Sequence, residues 1–343
     1  VSAAWHGWLS NAPILCKEAG GAYVIVTATC KGIVMNHPIR LGLVGVGKIA
    51  RDQHLPAIAA DPRFQLVSVA DPIAQLDGIS SYASLAEMLA AEPDLDAISF
   101  CTPPAARYAM ALEAIAAGKH VMLEKPAAAT VSQAAHLVTA AAARGTSLFA
   151  TWHSREAAAV EVTRKALAET AIKTVRIAWL EDIRRWHPGQ EWILAAGGFG
   201  VFDPGINALS ILTHILPDPV TLSSAHLTVP ANRQAPIAAV LEMGSGGIPI
   251  EALFDFRQEG GERWTIEIET ANGLFVLRGG GARLSLNGTP ISEEAENREY
   301  ARLYDRFASL MANSASDTDL APVQIVADAF LVGEVRAAEP FHF

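Results

Sequence analysis

Cysteine is scarce in this 343-residue chain, with Cys16, Cys30 and Cys101 as the whole set and no Cys-x-x-Cys or Cys/His spacing among them. An odd, scattered set gives neither a disulfide framework nor a zinc-ligand pattern, so no metal is expected and a reducing cytoplasm fits. Basic charge is short as well. Lys and Arg number 26 against 36 Asp and Glu, for a formal charge of −10, which repels polyanions and argues against nucleic acid or an anionic membrane as partner. No apolar run reaches the roughly 20 residues that span a bilayer. With no basic residue before Lys17 and no twin arginine in the first 34 residues, export is not expected either. Apolar material is plentiful: 51% of residues are hydrophobic and 18% charged, enough for about two domains at roughly 150 residues each. Small molecules are the expected partners.

Residues 1–34 read differently from the rest of the chain, with isolated Trp5 and Trp8 and a short apolar patch at 22–29. Met35-Asn36-His37-Pro38 then leads straight into a strong strand. We read 1–34 as an extension that is not native or is disordered, with the natural start at Met35. From there, apolar runs at 39–44, 65–70, 97–101, 120–123 and 147–150 alternate with helical stretches at 48–60, 84–91, 104–117 and 132–144. That rhythm predicts a doubly wound parallel sheet over residues 35–152. Beyond Trp152 it changes to a helix at 155–169, a strand at 174–182, a glycine-rich loop and a helix at 203–216. Strands at 248–256, 264–270 and 274–277, an Asn287-Gly288 hairpin signal, and helices at 299–311 and 323–335 come next. The fold class is therefore α/β, a Rossmann-type domain succeeded at 153–337 by an α+β domain with an open, mainly antiparallel sheet.

Gly45-Val46-Gly47-Lys48-Ile49-Ala50 comes directly after the first strand and opens a helix, which is the setting that gives a Gly-x-Gly-x-x-Gly/Ala string its meaning. Gly45 permits the tight turn, Gly47 lets the backbone approach a pyrophosphate, and Ala50 lets helix and strand pack closely. Asp71 ends the second strand, placed to bond the ribose hydroxyls of NAD and to repel a 2′-phosphate. NADP stays open through Arg51 or Arg63. Thr102, just past another strand, is a further cofactor candidate.

Residues 120–126 (His-Val-Met-Leu-Glu-Lys-Pro) read as a buried strand ending in a charged pair, and a lysine at the carboxyl end of such a strand faces the ligand crevice. These residues, the 45–50 string and Gly197-Gly198-Phe199-Gly200-Val201-Phe202-Asp203-Pro204-Gly205-Ile206-Asn207 resemble the glucose-fructose oxidoreductase/inositol dehydrogenase/MocA (Gfo/Idh/MocA) family, over residues 39 to about 337. Residues 151–155 and 181–190 resemble that family's aldose 1-dehydrogenases of L-arabinose and D-galactose. The resemblance implies hydride transfer from sugar C1 to nicotinamide C4, an aldonolactone product, Glu124 and Lys125 at the cofactor, and homo-oligomers paired through the open sheet. It also places Glu181, His187, Trp152 and His153 at the substrate.

Oxidising a hemiacetal requires a base for the hydroxyl proton and a positive group for the developing oxyanion. Lys125 and Asp203 supply these, in an order left open. Asn207 stands where the family often has histidine, so it reads as a hydrogen-bonding positioner. Alternation along the 174–182 strand puts Val175, Ile177, Trp179 and Glu181 on one face. Trp179, Trp192 and Trp264 read as core packing, Asp182, Arg184, Arg185 and His214 as solvated or structural, and Cys101 as a buried strand residue. An inositol-type dehydrogenase and a non-catalytic NAD-binding sensor are the rival readings; a sensor needs no proton acceptor, and both Lys125 and Asp203 are present.

Overall fold

The five apolar runs of the first half become strands of one parallel sheet, β3 (Ile39–Val44), β4 (Phe64–Ala70), β6 (Ala97–Phe100), β7 (His120–Leu123) and β8 (Leu148–Ala150), and a sixth strand that the sequence reading leaves out, β5 (Ser80–Tyr82), joins its edge. The computed structural model describes residues 37–293 and 296–343 together with a two-stranded ribbon, β1 (Ile14–Lys17) paired with β2 (Tyr23–Val26). Beyond that ribbon, the expectation for residues 1–34 lies outside the described residues. The strand order is β5-β4-β3-β6-β7-β8. It reverses between β3 and β6, so the crevice for a ligand opens at the carboxyl ends of those strands.

Four helices connect the strands: α1 (Leu55–Ala60), α2 (Leu85–Ala91), α3 (Pro104–Ala116) and α4 (Val131–Arg144). Ser84 and Thr130 cap α2 and α4, accepting the N–H groups of Glu87 and Gln133, which satisfies donors each helix leaves open at its start. The stretch before α1 is helical as read, but residues Ala50–His54 wind as a π turn. Wider turns of this kind recur at functional sites, and here His54 is fully buried.

Past a short turn at His153–Glu156 come α5 (Val160–Leu167), β9 (Ile172–Leu180), α6 (Ile183–Trp186) and α7 (Phe202–Ile215). A run of strands comes after them: β10 (Val220–Pro230), β11 (Ala238–Ser245), β12 (Ile248–Asp255), β13 (Arg263–Thr270), β14 (Gly273–Arg278), β15 (Arg283–Leu286) and β16 (Thr289–Glu293). The chain ends in α8 (Glu299–Ala312), α9 (Ala321–Val332) and β17 (Glu334–Ala338). The second sheet has nine strands in the order β16-β15-β14-β13-β9-β12-β11-β10-β17. It is mainly antiparallel, with β9/β12 and β10/β17 parallel. Apolar residues of α5, α7 and α9 cover one face, while Val240, Leu253 and Leu274 stand exposed on strands of the sheet. Asn287 and Gly288, both at positive φ, make the two-residue hairpin between β15 and β16.

The structure departs from the sequence reading at four places. Sequence order groups helix α8 with the second domain, but Leu303, Tyr304, Phe307 and Met311 pack against Leu41, Leu43 and Met122 of the parallel sheet. A helical period reveals which face is buried, never against which sheet. The last helix stops at Val332 instead of continuing to 335: Gly333 ends it, and 334–338 pair in parallel with β10. Cys101 lies one residue beyond β6 and is half-buried at the crevice rather than buried in the strand. Trp192 is 37% exposed, not core.

Phe307 is fully buried and stacks on Phe64 and Phe149 at 6.4 and 6.3 Å. Phe307→Ala should lower unfolding free energy by about 3–5 kcal/mol in a urea titration, whereas Val335→Ala on the exposed strand should change it by less than about 0.5 kcal/mol.

Candidate active site

The carboxyl ends of β3, β4 and β6 form a cradle for a dinucleotide. Gly45 has φ +88°, and a Cβ there would lie 2.9 Å from Thr102 Cγ2, so turn and close approach both demand glycine. At Gly47 a Cβ would meet nothing within 4 Å, which leaves open space over the turn. Ala50 is fully buried, while Lys48 pairs with Asp52 and Ile49 is exposed at the helix start. Thr102 Oγ1 is buried and has no protein hydrogen-bond partner, an orphan at the place where a cofactor would supply one. The cradle thus fits the cofactor that the sequence implied.

Asp71 accepts N–H groups from Val46 at 2.8 Å, Ile73 at 2.9 Å and Ala74 at 2.8 Å. Burial opposes its charge, yet these amides and the Arg51 guanidinium hold the carboxyl below its usual range. About four acceptor sites exist on a carboxylate, so one remains for a ribose hydroxyl. Arg63 precedes β4, at the opposite end of the parallel sheet, and pairs with Asp61 at 2.6 Å and Asp305 at 2.8 Å. It is therefore not a phosphate ligand in the crevice, and of the two arginines only Arg51 stands near Asp71.

Across the crevice, four side chains meet. Lys125 Nζ donates to Asp203 O at 2.8 Å and lies 3.4 Å from Asp203 Oδ1. His187 Nε2 is 3.8 Å from Asp203 Oδ2 and 3.4 Å from Glu181 Oε1. Asp203 sits in the first turn of α7, where a negative charge suits the helix dipole. Glu181 comes just after β9 on the face that Val175, Ile177 and Trp179 also bury. It is 2% exposed; Trp264 Nε1 donates to its Oε2 at 2.9 Å, and its Oε1 has no hydrogen bond. Asn207 lies one turn after Asp203, partly buried.

Trp264 also stacks on Trp179 at 5.8 Å and tilts against Trp186 at 5.1 Å. The sequence reading assigns Trp264 to packing and gives Trp186 no contact role, although the Trp186-His187-Pro188 string carries the signal. Trp152 and His153 stand apart from this group. Trp152 is 3% exposed and donates its Nε1–H to Asp319 O at 2.9 Å. His153 Nδ1 meets Glu299 Oε2 at 2.6 Å, with its ring stacked on Tyr300 at 5.6 Å.

Glu124, expected at the cofactor, instead turns its carboxylate into the protein and is 4% exposed. It pairs with His54 Nε2 at 3.1 Å and accepts the Tyr300 hydroxyl at 2.5 Å and the Lys125 N–H at 2.8 Å. His54 Nδ1 meets Tyr304 Oη at 2.8 Å. Burial opposes charge on His54, but Cys101, Tyr304 and Glu124 favour the imidazolium and raise its pKa well above the ordinary value. Burial likewise opposes charge on Glu124, and His54 overrides it, holding the carboxyl far below its usual range. Arg107, 2% exposed, donates to the carbonyls of Thr102, Glu124 and Pro126 and so ties the β6 and β7 loops together. Burial lowers its pKa to about 10, still charged at neutral pH. Sequence reasoning found none of His54, Tyr300, Tyr304 or Arg107, since nothing local marks them.

A glycine turn at the switch point of a parallel sheet, joined to a Lys–Asp–His–Glu chain, defines a nucleotide-dependent oxidoreductase. Comparison with known proteins agrees. The oxidoreductase family with an NAD-binding Rossmann fold, Gfo/Idh/MocA, matches residues 39–151. Galactose 1-dehydrogenase of Pseudomonas fluorescens is 46% identical over 318 residues, 89% of this chain and 99% of that protein. The crystal structure of D-galactose-1-dehydrogenase from Rhizobium etli matches with a TM-score of 0.87 at 51% identity, over 90% of this chain and 99% of that one. A protein of gentamicin A biosynthesis, solved in complex with NAD, shares the fold at a TM-score of 0.75 and 21% identity, over 88% and 96% of the two chains. The chain belongs to the Gfo/Idh/MocA family and is an NAD(P)-dependent dehydrogenase.

The His54–Glu124 pair gives stability two opposed pH slopes. Glu124, whose folded pKa is depressed, contributes above the unfolded value of about 4.3 and loses its contribution as acid carries the pH down through the folded value. His54, whose folded pKa is raised, contributes fully below about 6.5 and loses its contribution as the pH rises through the folded value. His54→Gln should destabilise by about 3–5 kcal/mol near pH 6, the cost of stranding a buried charge. In urea titrations the gap to wild type should shrink as the pH rises above about 6.5; a gap independent of pH would mean that His54 is neutral.

Proposed function

We propose that the protein oxidises an aldopyranose, D-galactose or L-arabinose, at C1 to the aldonolactone, with NAD preferred over NADP. The Lys125–Asp203–His187–Glu181 chain carries this reading. An ammonium group donates hydrogen bonds and accepts none, so Lys125, donating toward Asp203, steadies the C1 oxygen while the Asp203 carboxylate receives the hydroxyl proton. The cofactor, held at Gly45, Gly47, Asp71 and Thr102, supplies the hydride acceptor. His187 lies between two carboxylates and holds both in place. Glu181 Oε1, buried and without a hydrogen bond although His187 Nε2 stands 3.4 Å away, accepts a sugar hydroxyl, because a buried acceptor is costly until a ligand satisfies it. Trp264 and Trp186 offer an apolar surface to the C–H face of the ring, and the Asn207 amide positions a hydroxyl.

Two relatives, at 46% and 51% identity, are galactose 1-dehydrogenases, which supports the sugar class. Among the described residues no helix is long and apolar enough to cross a membrane, in keeping with a cytoplasmic enzyme. The exposed Val240 and Leu253 on the second sheet favour pairing of two copies there. A sensor built on this scaffold would retain the cradle without a Lys–Asp pair, so that reading is disfavoured.

Absorbance of the reduced nicotinamide should rise rapidly with D-galactose or L-arabinose and far less with D-glucose or myo-inositol; silence with every sugar despite NAD binding would return the sensor reading. Lys125→Ala should lower kcat by about two to four orders of magnitude while the Kd for NAD is retained. Asp71→Ser should reduce kcat/KM for NAD and bring the NADP/NAD ratio closer to one, measured with the same sugar at saturation.

A further inference from the structure

His187 directly follows α6, and Asp203 opens α7 just after the glycine-rich segment 195–201. Helix α6 is a single turn, and one turn cannot sustain itself. Contacts from the C-terminal end of the chain reach both segments. Beyond β17 the chain turns back, and Phe341, 7% exposed, joins the core of the second domain. Asn232 brackets its backbone: Oδ1 accepts Phe341 N–H at 2.8 Å and Nδ2 donates to Phe341 O at 3.0 Å. Arg233 Nε donates to the same oxygen at 3.1 Å.

From that anchor two arms reach the site. Arg184 of α6 lays its guanidinium 4.6 Å over the Phe341 ring and donates to His342 O at 3.2 Å, which ties down the turn that leads into His187. The loop bearing Asn232 and Arg233 holds the segment entering α7. Gln234 and Ala235 donate their N–H groups to Leu194 O at 2.9 and 3.2 Å, Gln234 Oε1 accepts Ala196 N–H at 2.8 Å, and Pro236 O accepts Val201 N–H at 2.7 Å. Val201 is two residues before Asp203.

We propose that Phe341, Arg184 and Asn232 form a clasp that sets His187 against Asp203 and thereby fixes the affinity for the sugar without touching it. The sugar part of this statement rests on the function proposed above; the clasp itself does not. These are positioning residues. A shift of about 1 Å in a reacting group costs up to about 100-fold, and the clasp acts on one such group, Asp203, and on His187, which holds it.

The test uses the full chain with Phe341→Ala, Phe341→Leu and Arg184→Ala. Steady-state kinetics and hydrogen exchange by mass spectrometry are the two readouts. Phe341→Ala and Arg184→Ala should raise KM for the sugar by about tenfold while KM for NAD stays within about twofold, and Phe341→Leu should recover most of the loss. Exchange should quicken in residues 183–201 and stay unchanged in 39–150. Unchanged exchange in 183–201, or a sugar KM within about twofold of wild type, overturns the clasp. Should Phe341→Ala not fold, Arg184→Ala decides alone, since its side chain is 45% exposed and its loss leaves no cavity. If wild type oxidises no sugar, the proposed reaction fails, and the exchange readout still judges the clasp.

Discussion

A carboxylate buried under the end of a β-strand is tolerated only when its charge is answered, and Glu124 is the case around which this protein is assembled. Two of its partners come from distant parts of the chain, His54 from the π turn and Tyr300 from α8, and the third is the N–H of Lys125 next door. Burying an ion costs several kcal/mol and an opposite charge returns part of that, so the pair is weak grounds for overall stability. Its effect is on placement. With one oxygen on Lys125 N–H and the other on His54 and Tyr300, the strand end cannot rotate without stranding a charge. The lysine that reaches into the crevice inherits that rigidity, and Arg107 reinforces it by gripping the carbonyls on both sides of the crevice floor.

The same constraint explains why α8 belongs with the first domain. Tyr300 and Tyr304 carry apolar rings into the core beneath the parallel sheet and hydroxyls into the Glu124–His54 pair. A helix that came with the second half of the chain therefore closes the first half's core and supplies a polar partner to its active strand. His153, stacked on Tyr300, extends the link to the start of the second domain. The two domains are consequently joined behind the crevice as well as across it.

How much the sequence disclosed depends on the range of the interactions. The parallel sheet, the glycine turn and the Asn287-Gly288 hairpin are set by neighbours within a few residues, and period and turn chemistry expose them. Lys125, Asp203, Glu181 and His187 were legible because each sits in a long distinctive string, and the structure brings these four together. The supporting residues had no such mark. Glu124 and Tyr300 are separated by 176 residues, Glu181 and Trp264 by 83; a tyrosine on an amphipathic helix and a tryptophan on a strand look like core in any sequence. The assignment of Trp264 to packing is half the answer, for its ring is packed while its N–H orients the carboxylate.

The contact between Lys125 and Asp203 separates two roles that residue chemistry alone leaves mixed. The shorter bond of the ammonium goes to the main-chain oxygen of Asp203, at 2.8 Å, and the longer to the carboxylate, at 3.4 Å. A backbone oxygen is an anchor that no side-chain proton transfer alters. In the proposed reaction the lysine therefore keeps its place while the carboxylate gains and loses a proton. Of the three donors on an ammonium, one is committed to the anchor and one leans on the carboxylate, leaving the third for a substrate oxygen. The helix start that carries Asp203 thus holds the lysine with its backbone and leaves its side chain free for the proton transfer proposed above.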